Sequence, residues 1–131
     1  MILLDTHVLI WLAGDPARVS RPAAKAIRKA EASGSLAIAS ITLWEMALIA
    51  SRGRIRHRGT LEQWIGSVLS VSRVAIRELT PQIAVLATQF PDNFPSDPAD
   101  RLIAATARYE NLPLVTADEG IQASPLIKTI W

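Results

Sequence analysis

Two rhythms of apolar residues alternate along this chain. Short unbroken apolar runs, the mark of strands buried on both faces, are separated by longer stretches whose apolar positions recur with the helical period. Ile2-Leu3-Leu4 is the first run and ends at Asp5. Thr6 then caps a helix carrying Val8, Leu9, Trp11 and Leu12, which stops near Gly14. Ser20, with Pro22 in the first turn, opens an alanine-rich helix that runs to Gly34. Leu36-Ala37-Ile38-Ala39 is a second buried strand, after which Ser40 and Thr42 start a helix through Trp44, Ala47, Leu48 and Ile49. Residues 51–59 read as a glycine-flanked basic loop, and Thr60 with Gln63 as a capping box for a helix to about Val71. Val74-Ala75-Ile76 is a third strand, and Thr80-Pro81 opens a helix to about Gln89. Two prolines within residues 91–95 deny both helix and ladder. Asp97 is a good N-cap, with Pro98 at the first helical position of a helix ending near Asn111. Pro113-Leu114-Val115-Thr116 is a fourth strand, Ala117-Asp118-Glu119-Gly120 a turn, and Ile127-Lys128-Thr129-Ile130 an edge strand. This alternation predicts an α/β sandwich: a central parallel sheet flanked by helices, with right-handed crossovers.

Composition narrows the class. With 131 residues, half of them apolar, the chain predicts one domain over residues 1–131 with a substantial core. The absence of cysteine excludes disulfides and thiolate metal sites and suits a reducing cytoplasm. Met-Ile-Leu-Leu-Asp lacks a basic n-region and does not read as a signal peptide, and no apolar run nears the roughly 18 residues of a membrane span. The formal charge is only +2, yet eleven of the fourteen basic residues are arginine, which suits bidentate phosphate recognition.

The acids carry the chemistry. In open α/β sheets ligands bind outside the carboxyl ends of the strands. Asp5 closes the first strand, and Glu45 follows the second by six residues, in the first turn of its helix. Asp118 lies two residues past the fourth, and Asp97 and Asp100, neighbours at helical spacing, begin the helix leading into it. Each has a structural alternative: Asp5 and Asp97 as helix caps, Thr42-Leu43-Trp44-Glu45 as a capping box, Asp118 as a turn acid. Their joint placement at one sheet edge favours a shared role. Like charges so gathered must take up protons or be neutralised by a cation. An oxygen-only set without cysteine or a nearby histidine selects a hard ion, Mg²⁺ or Mn²⁺. Such ions activate water and stabilise the leaving oxygen of a phosphodiester.

At these residues the sequence resembles a PIN domain, and more closely the VapC toxins of bacterial type II toxin–antitoxin pairs. The likeness rests on Leu4-Asp5-Thr6-His7-Val8-Leu9, Thr42-Leu43-Trp44-Glu45, Asp97-Pro98-Ala99-Asp100-Arg101-Leu102-Ile103-Ala104-Ala105-Thr106-Ala107 and Leu114-Val115-Thr116-Ala117-Asp118, in order and over nearly the whole chain. The resemblance implies a PIN-like three-layer sandwich. It also implies a small, cytoplasmic, Mg²⁺- or Mn²⁺-dependent endoribonuclease, homodimeric, acting on RNA and silenced by a cognate antitoxin. The family's acidic site maps onto Asp5, Glu45, Asp100 and Asp118. Asp97 is then a supporting or fifth acid, and Thr116 a hydroxyl that orients Asp118. Many relatives have asparagine where this chain has His7, to which we assign a packing or surface role.

The remaining polar residues are weighed beside this set. Arg52, Arg54, Arg56 and Arg58 alternate with Gly53, Ile55 and His57, so in an extended loop they would share one side and grip an RNA backbone, or else serve only as solvated charge. Arg101 is expected to form a local ion pair. Trp11, Trp44, Trp64 and Trp131 read as core or interface. Two other classes compete: a non-catalytic acidic module, receiver-like or degenerate, and a DNA-directed nuclease. A receiver would place an Asp at the end of its third strand, where this chain has Arg77-Glu78-Leu79.

Overall fold

A computed structural model describes all 131 residues. In chain order they form β1 (Ile2–Leu4), α1 (Thr6–Gly14), a 3₁₀ turn (Pro16–Arg18), α2 (Arg21–Ala32), β2 (Leu36–Ala39), α3 (Ile41–Ser51), α4 (Leu61–Ser72), β3 (Ala75–Arg77), α5 (Pro81–Ala87), α6 (Pro98–Tyr109), β4 (Leu114–Val115), α7 (Glu119–Gln122) and β5 (Thr129–Ile130). The five strands are all parallel, in the order β3-β2-β1-β4-β5. Leu4 pairs with Ile38 on one side and Val115 on the other, so the carboxyl ends of the central strands lie level. The chain moves outward from β1 to β3, then crosses back to add β4 and β5 on the other side. The gap beside β1 and β4 is therefore the switch point of the sheet, where such folds open a crevice.

Successive strand residues feed opposite faces. Leu3, Ala37, Ala39 and Leu114 join a core with α5, α6 and α7 through Ile83, Ile103 and Ile121. Leu4, Leu36, Ile38 and Val115 join another with α1, α2, α3 and α4 through Leu9, Ile27, Met46 and Val68. Two apolar layers on a doubly buried sheet make the expected three-layer α/β sandwich. No helix is long and apolar enough to cross a membrane.

The boundaries differ from the sequence reading in informative places. Asp5, not Thr6, caps α1, its carboxylate accepting the Thr6 N–H. Thr42 is buried within α3 rather than capping it. Ser40 precedes the helix, but its hydroxyl accepts the Leu79 N–H instead of a helix amide. Glu45 thus stands in the second turn, and the Thr42–Glu45 capping box does not form. The turn at Asp118 continues into α7, and α5 ends early, where the Thr88 hydroxyl donates to the Val85 carbonyl. The Thr60–Gln63 capping box does form, and Gly59, at φ +72°, gives it room: a Cβ there would collide with the Gln63 amide oxygen.

Candidate active site

Asp5, Glu45, Asp97, Asp100 and Asp118 line one cleft of about 290 Å³ at the switch point, completed by His7, Trp11 and Ala117. Each acid arrives there for a local reason. Asp5 leaves β1 as the cap of α1, its Oδ1 accepting the Thr6 N–H at 2.8 Å. Its Oδ2 accepts the Thr116 hydroxyl at 2.6 Å, a bond across the switch point from the end of β4. The same Thr116 oxygen accepts the Asp118 N–H at 3.1 Å. Asp118 caps α7, and Asp97 caps α6 with one oxygen that accepts two amides, of Ala99 and Asp100. Three carboxylates are therefore N-caps; Asp97 and Asp118 each keep one oxygen free of the cap, while both oxygens of Asp5 are engaged. Next to Asp5 in the chain, the Thr6 hydroxyl bonds that of Thr42 at 3.0 Å, tying α1 to α3.

Charge accumulates here against the cost of burial. Asp5 is 6% exposed and Glu45 9%. Burial pushes both carboxyls above their ordinary values, and the donors Thr116 and Thr6 pull Asp5 part of the way back. Asp100 is pushed up to about 7, first by burial and then by the charges of Asp5, Asp97, Glu45 and Asp118. The N-termini of α1 and α6 face this set with the positive ends of their dipoles, which offsets part of the repulsion.

The remaining deficit fits a cation. Glu45 Oε1 is buried with no hydrogen-bond partner, the kind of orphan that native folds rarely leave. One carboxylate oxygen from each of Glu45, Asp97 and Asp100 comes within 4.8 Å of the other two. All these donors are carboxylate oxygens, which suits a hard divalent ion such as Mg²⁺, Mn²⁺ or Ca²⁺ over zinc or copper.

A family model, the PIN domain, matches residues 2–124. The chain belongs to the PIN domain family. It is 36% identical over 132 aligned residues to Ribonuclease VapC22 of Mycobacterium tuberculosis, an alignment covering 99% of this chain and 98% of the relative. Its fold is similar to that of VapBC2 from Rickettsia felis bound to a fragment of its promoter DNA, with a TM-score of 0.72 at 21% identity over 98% of this chain and 97% of that one. DNA-bound VapBC from Salmonella typhimurium superposes with a TM-score of 0.70 at 21% identity, again over 98% and 97% of the two chains.

Some residues of this PIN domain sit differently from their sequence reading. Thr116 holds the side chain of Asp5 and only the backbone of Asp118. Arg101 makes no ion pair. Its guanidinium donates to the carbonyls of Phe90, Pro91, Phe94 and Pro95, and so ties the proline loop to α6 beside Asp100. Only two of the four loop arginines line a common groove. Arg54 and Arg56 line a groove of about 460 Å³ with Trp11 and Arg18, whereas Arg52 and Arg58 lie outside it. Gly53, at φ +71°, turns the chain after α3, and the His57 ring lies 5.9 Å from that of Trp64, so the loop is folded back rather than extended. Trp44 is 54% exposed; Trp11, Trp64 and Trp131 are half-buried. The sequence reading missed the Thr6–Thr42 link, because two separate helix-start threonines carry no signal that they meet.

Proposed function

We propose that residues 1–131 form a single PIN domain acting as a Mg²⁺- or Mn²⁺-dependent endoribonuclease, the toxin of a type II toxin–antitoxin pair. The observation that carries this reading is the buried, unpartnered Glu45 Oε1 within a cleft of five carboxylates. The full-length relative named a ribonuclease gives the substrate class. Asp5, Glu45, Asp100 and Asp118 would hold the ion or ions, with Asp97 as the supporting acid. A bound divalent ion supplies Lewis acidity, making water a nucleophile at neutral pH and offsetting charge on the phosphodiester.

The chain's own residues do the rest. Thr116 and the Thr6 amide hold Asp5 in one rotamer, which presents its carboxylate without reorganisation. Burial and the neighbouring carboxylates push the Asp100 carboxyl up to about 7, and a bound cation would favour its ionised form. Hydrolysis breaks one P–O bond and adds the elements of water across it. The partners we assign are an RNA substrate, a cognate antitoxin and a second copy of the chain in a homodimer, all in the cytoplasm. Exposed Ile76 and Tyr109, which line one cavity at the β3 edge, support the homodimer.

The test is a digest of labelled RNA by the purified chain. Cleavage with Mg²⁺ or Mn²⁺ that stops in chelator is expected. No cleavage with either ion, or equal cleavage in chelator, would overturn the reading.

A further inference from the structure

Beside the acidic cleft lies a second concavity, the groove of about 460 Å³ between α1 and the loop after α3. The two share a wall, made by His7 and Trp11. Their charges are opposite. The groove is lined by Arg18, Arg54 and Arg56 against a single acid, Asp15. None of the three arginines is in an ion pair; the chain's one salt bridge joins Arg77 to Glu110. The Arg18 guanidinium carbon lies 4.5 Å from the centroid of the Trp11 ring. One guanidinium face is therefore backed by an aromatic plane, while Arg18 itself stays exposed.

We infer that this groove seats the nucleotides flanking the scissile phosphate, with one base stacked on the Trp11-backed Arg18 and the neighbouring phosphates held by Arg54 and Arg56. The inference rests on the ribonuclease reading and specifies where its substrate lies. A strand whose reacting phosphate enters a cleft of five carboxylates must leave its adjoining phosphates on a surface of opposite sign. Across the shared wall lies such a surface. Unstacked RNA bases are recognised by stacking on aromatic rings and arginine planes, and the groove pairs that plane with free guanidinium charge. Its volume falls in the range of roughly 300–1,000 Å³ typical of small-ligand sites.

Binding and cleavage are separable, so the test is run in chelator, with a labelled, unstructured oligouridylate followed by fluorescence anisotropy. Arg54→Ala/Arg56→Ala should weaken binding about tenfold or more. Its log affinity against log salt should flatten by about 1.4, since each single-strand phosphate contact contributes roughly 0.7. Arg18→Lys keeps the charge but loses the plane, so it should weaken binding several-fold at an unchanged salt slope. Lys29→Ala/Arg108→Ala removes the same charge from the last turns of α2 and α6, which lead into the starts of β2 and β4 at the far edge of the sheet. That control should bind as the parent does, and melting curves check that each variant is folded.

An unchanged salt slope in the loop variant, or an equal loss in the far-edge control, would overturn the inference. So would a loop variant that loses affinity for polyglutamate but not for the oligonucleotide, which would make the groove a protein-docking surface. A parent chain that binds RNA through this groove but cleaves none with Mg²⁺ or Mn²⁺ would keep the groove and remove the nuclease reading.

Discussion

The acidic cleft and the arginine groove meet along His7 and Trp11, yet they are built in opposite ways. In the cleft, Asp5 has both oxygens engaged, Asp97 and Asp118 are tied to helix amides, and Thr116 bridges two strands. In the groove, the guanidinium groups of Arg18, Arg54 and Arg56 are exposed and unpaired, and two of them stand on a loop. The cleft holds like charges together at a cost, which fixed geometry, proton uptake or a counter-ion must offset. The groove holds charges that water screens, and it tolerates movement. Chemistry demands the first construction; capture of a flexible strand needs only the second.

The largest expected effect breaks the cleft alone. Asp100→Asn removes a charge and keeps the shape, so RNA cleavage with Mg²⁺ should fall by about 100-fold or more, beyond the cost of losing an outer support. The melting temperature in chelator should rise above about pH 7, where the parent carboxylate is ionised and repelled by its neighbours. Cleavage at the parent rate would show that Asp100 holds no essential ion. Next, Thr116→Val leaves Asp5 Oδ2 without its donor. Activity should drop about 10–100-fold, and stability by about 1–3 kcal/mol, read from kcat and from urea titration.

A third effect concerns protons. Folding raises the Asp100 carboxyl from 3.8 to about 7, so between those values the folded chain keeps a proton that the unfolded chain has released. Metal-free stability is therefore highest at the acidic end and falls as pH rises through that window. Asp5 and Glu45, raised in the same direction, steepen the fall. Melting in chelator across this range should show the decline, Asp100→Asn should flatten it, and Mg²⁺ should restore stability most at the upper end. A melting temperature that climbed with pH would contradict the burial of these charges.

The smallest effect separates the scaffold from both sites. Arg101→Ala frees the carbonyls of the 90–95 loop, and unfolding should become easier by about 1–3 kcal/mol. Hydrogen exchange should rise first in that loop.

Much of this arrangement was legible in one dimension. β1, β2 and the start of α6 follow from uninterrupted apolar runs and from Asp97-Pro98, signals that are local and that nothing in the packing overrides. Parallel strands then send Asp5 and Asp118 to one edge without any knowledge of contacts. What stayed hidden depends on partners far away in sequence. Ser40 looked like a cap but serves Leu79. Thr42 and Glu45 matched a capping box, yet Thr42 binds Thr6, and Glu45 is buried with its Oε1 unpartnered. Thr116 reaches Asp5 across the sheet, a bond no local window contains. Arg101 lay beside an acid but found four carbonyls, because the two prolines leave loop groups unpaired by helix or strand.

The use of aspartates as helix caps at the cleft has an evolutionary consequence. Asparagine caps a helix about as well as aspartate, so on the proposed reading a change of Asp118 to asparagine would remove a metal-holding charge and keep the cap of α7. On that reading, an inactive sibling that keeps its binding surfaces would lie a single codon change away. Such decoys should arise readily wherever this domain is duplicated.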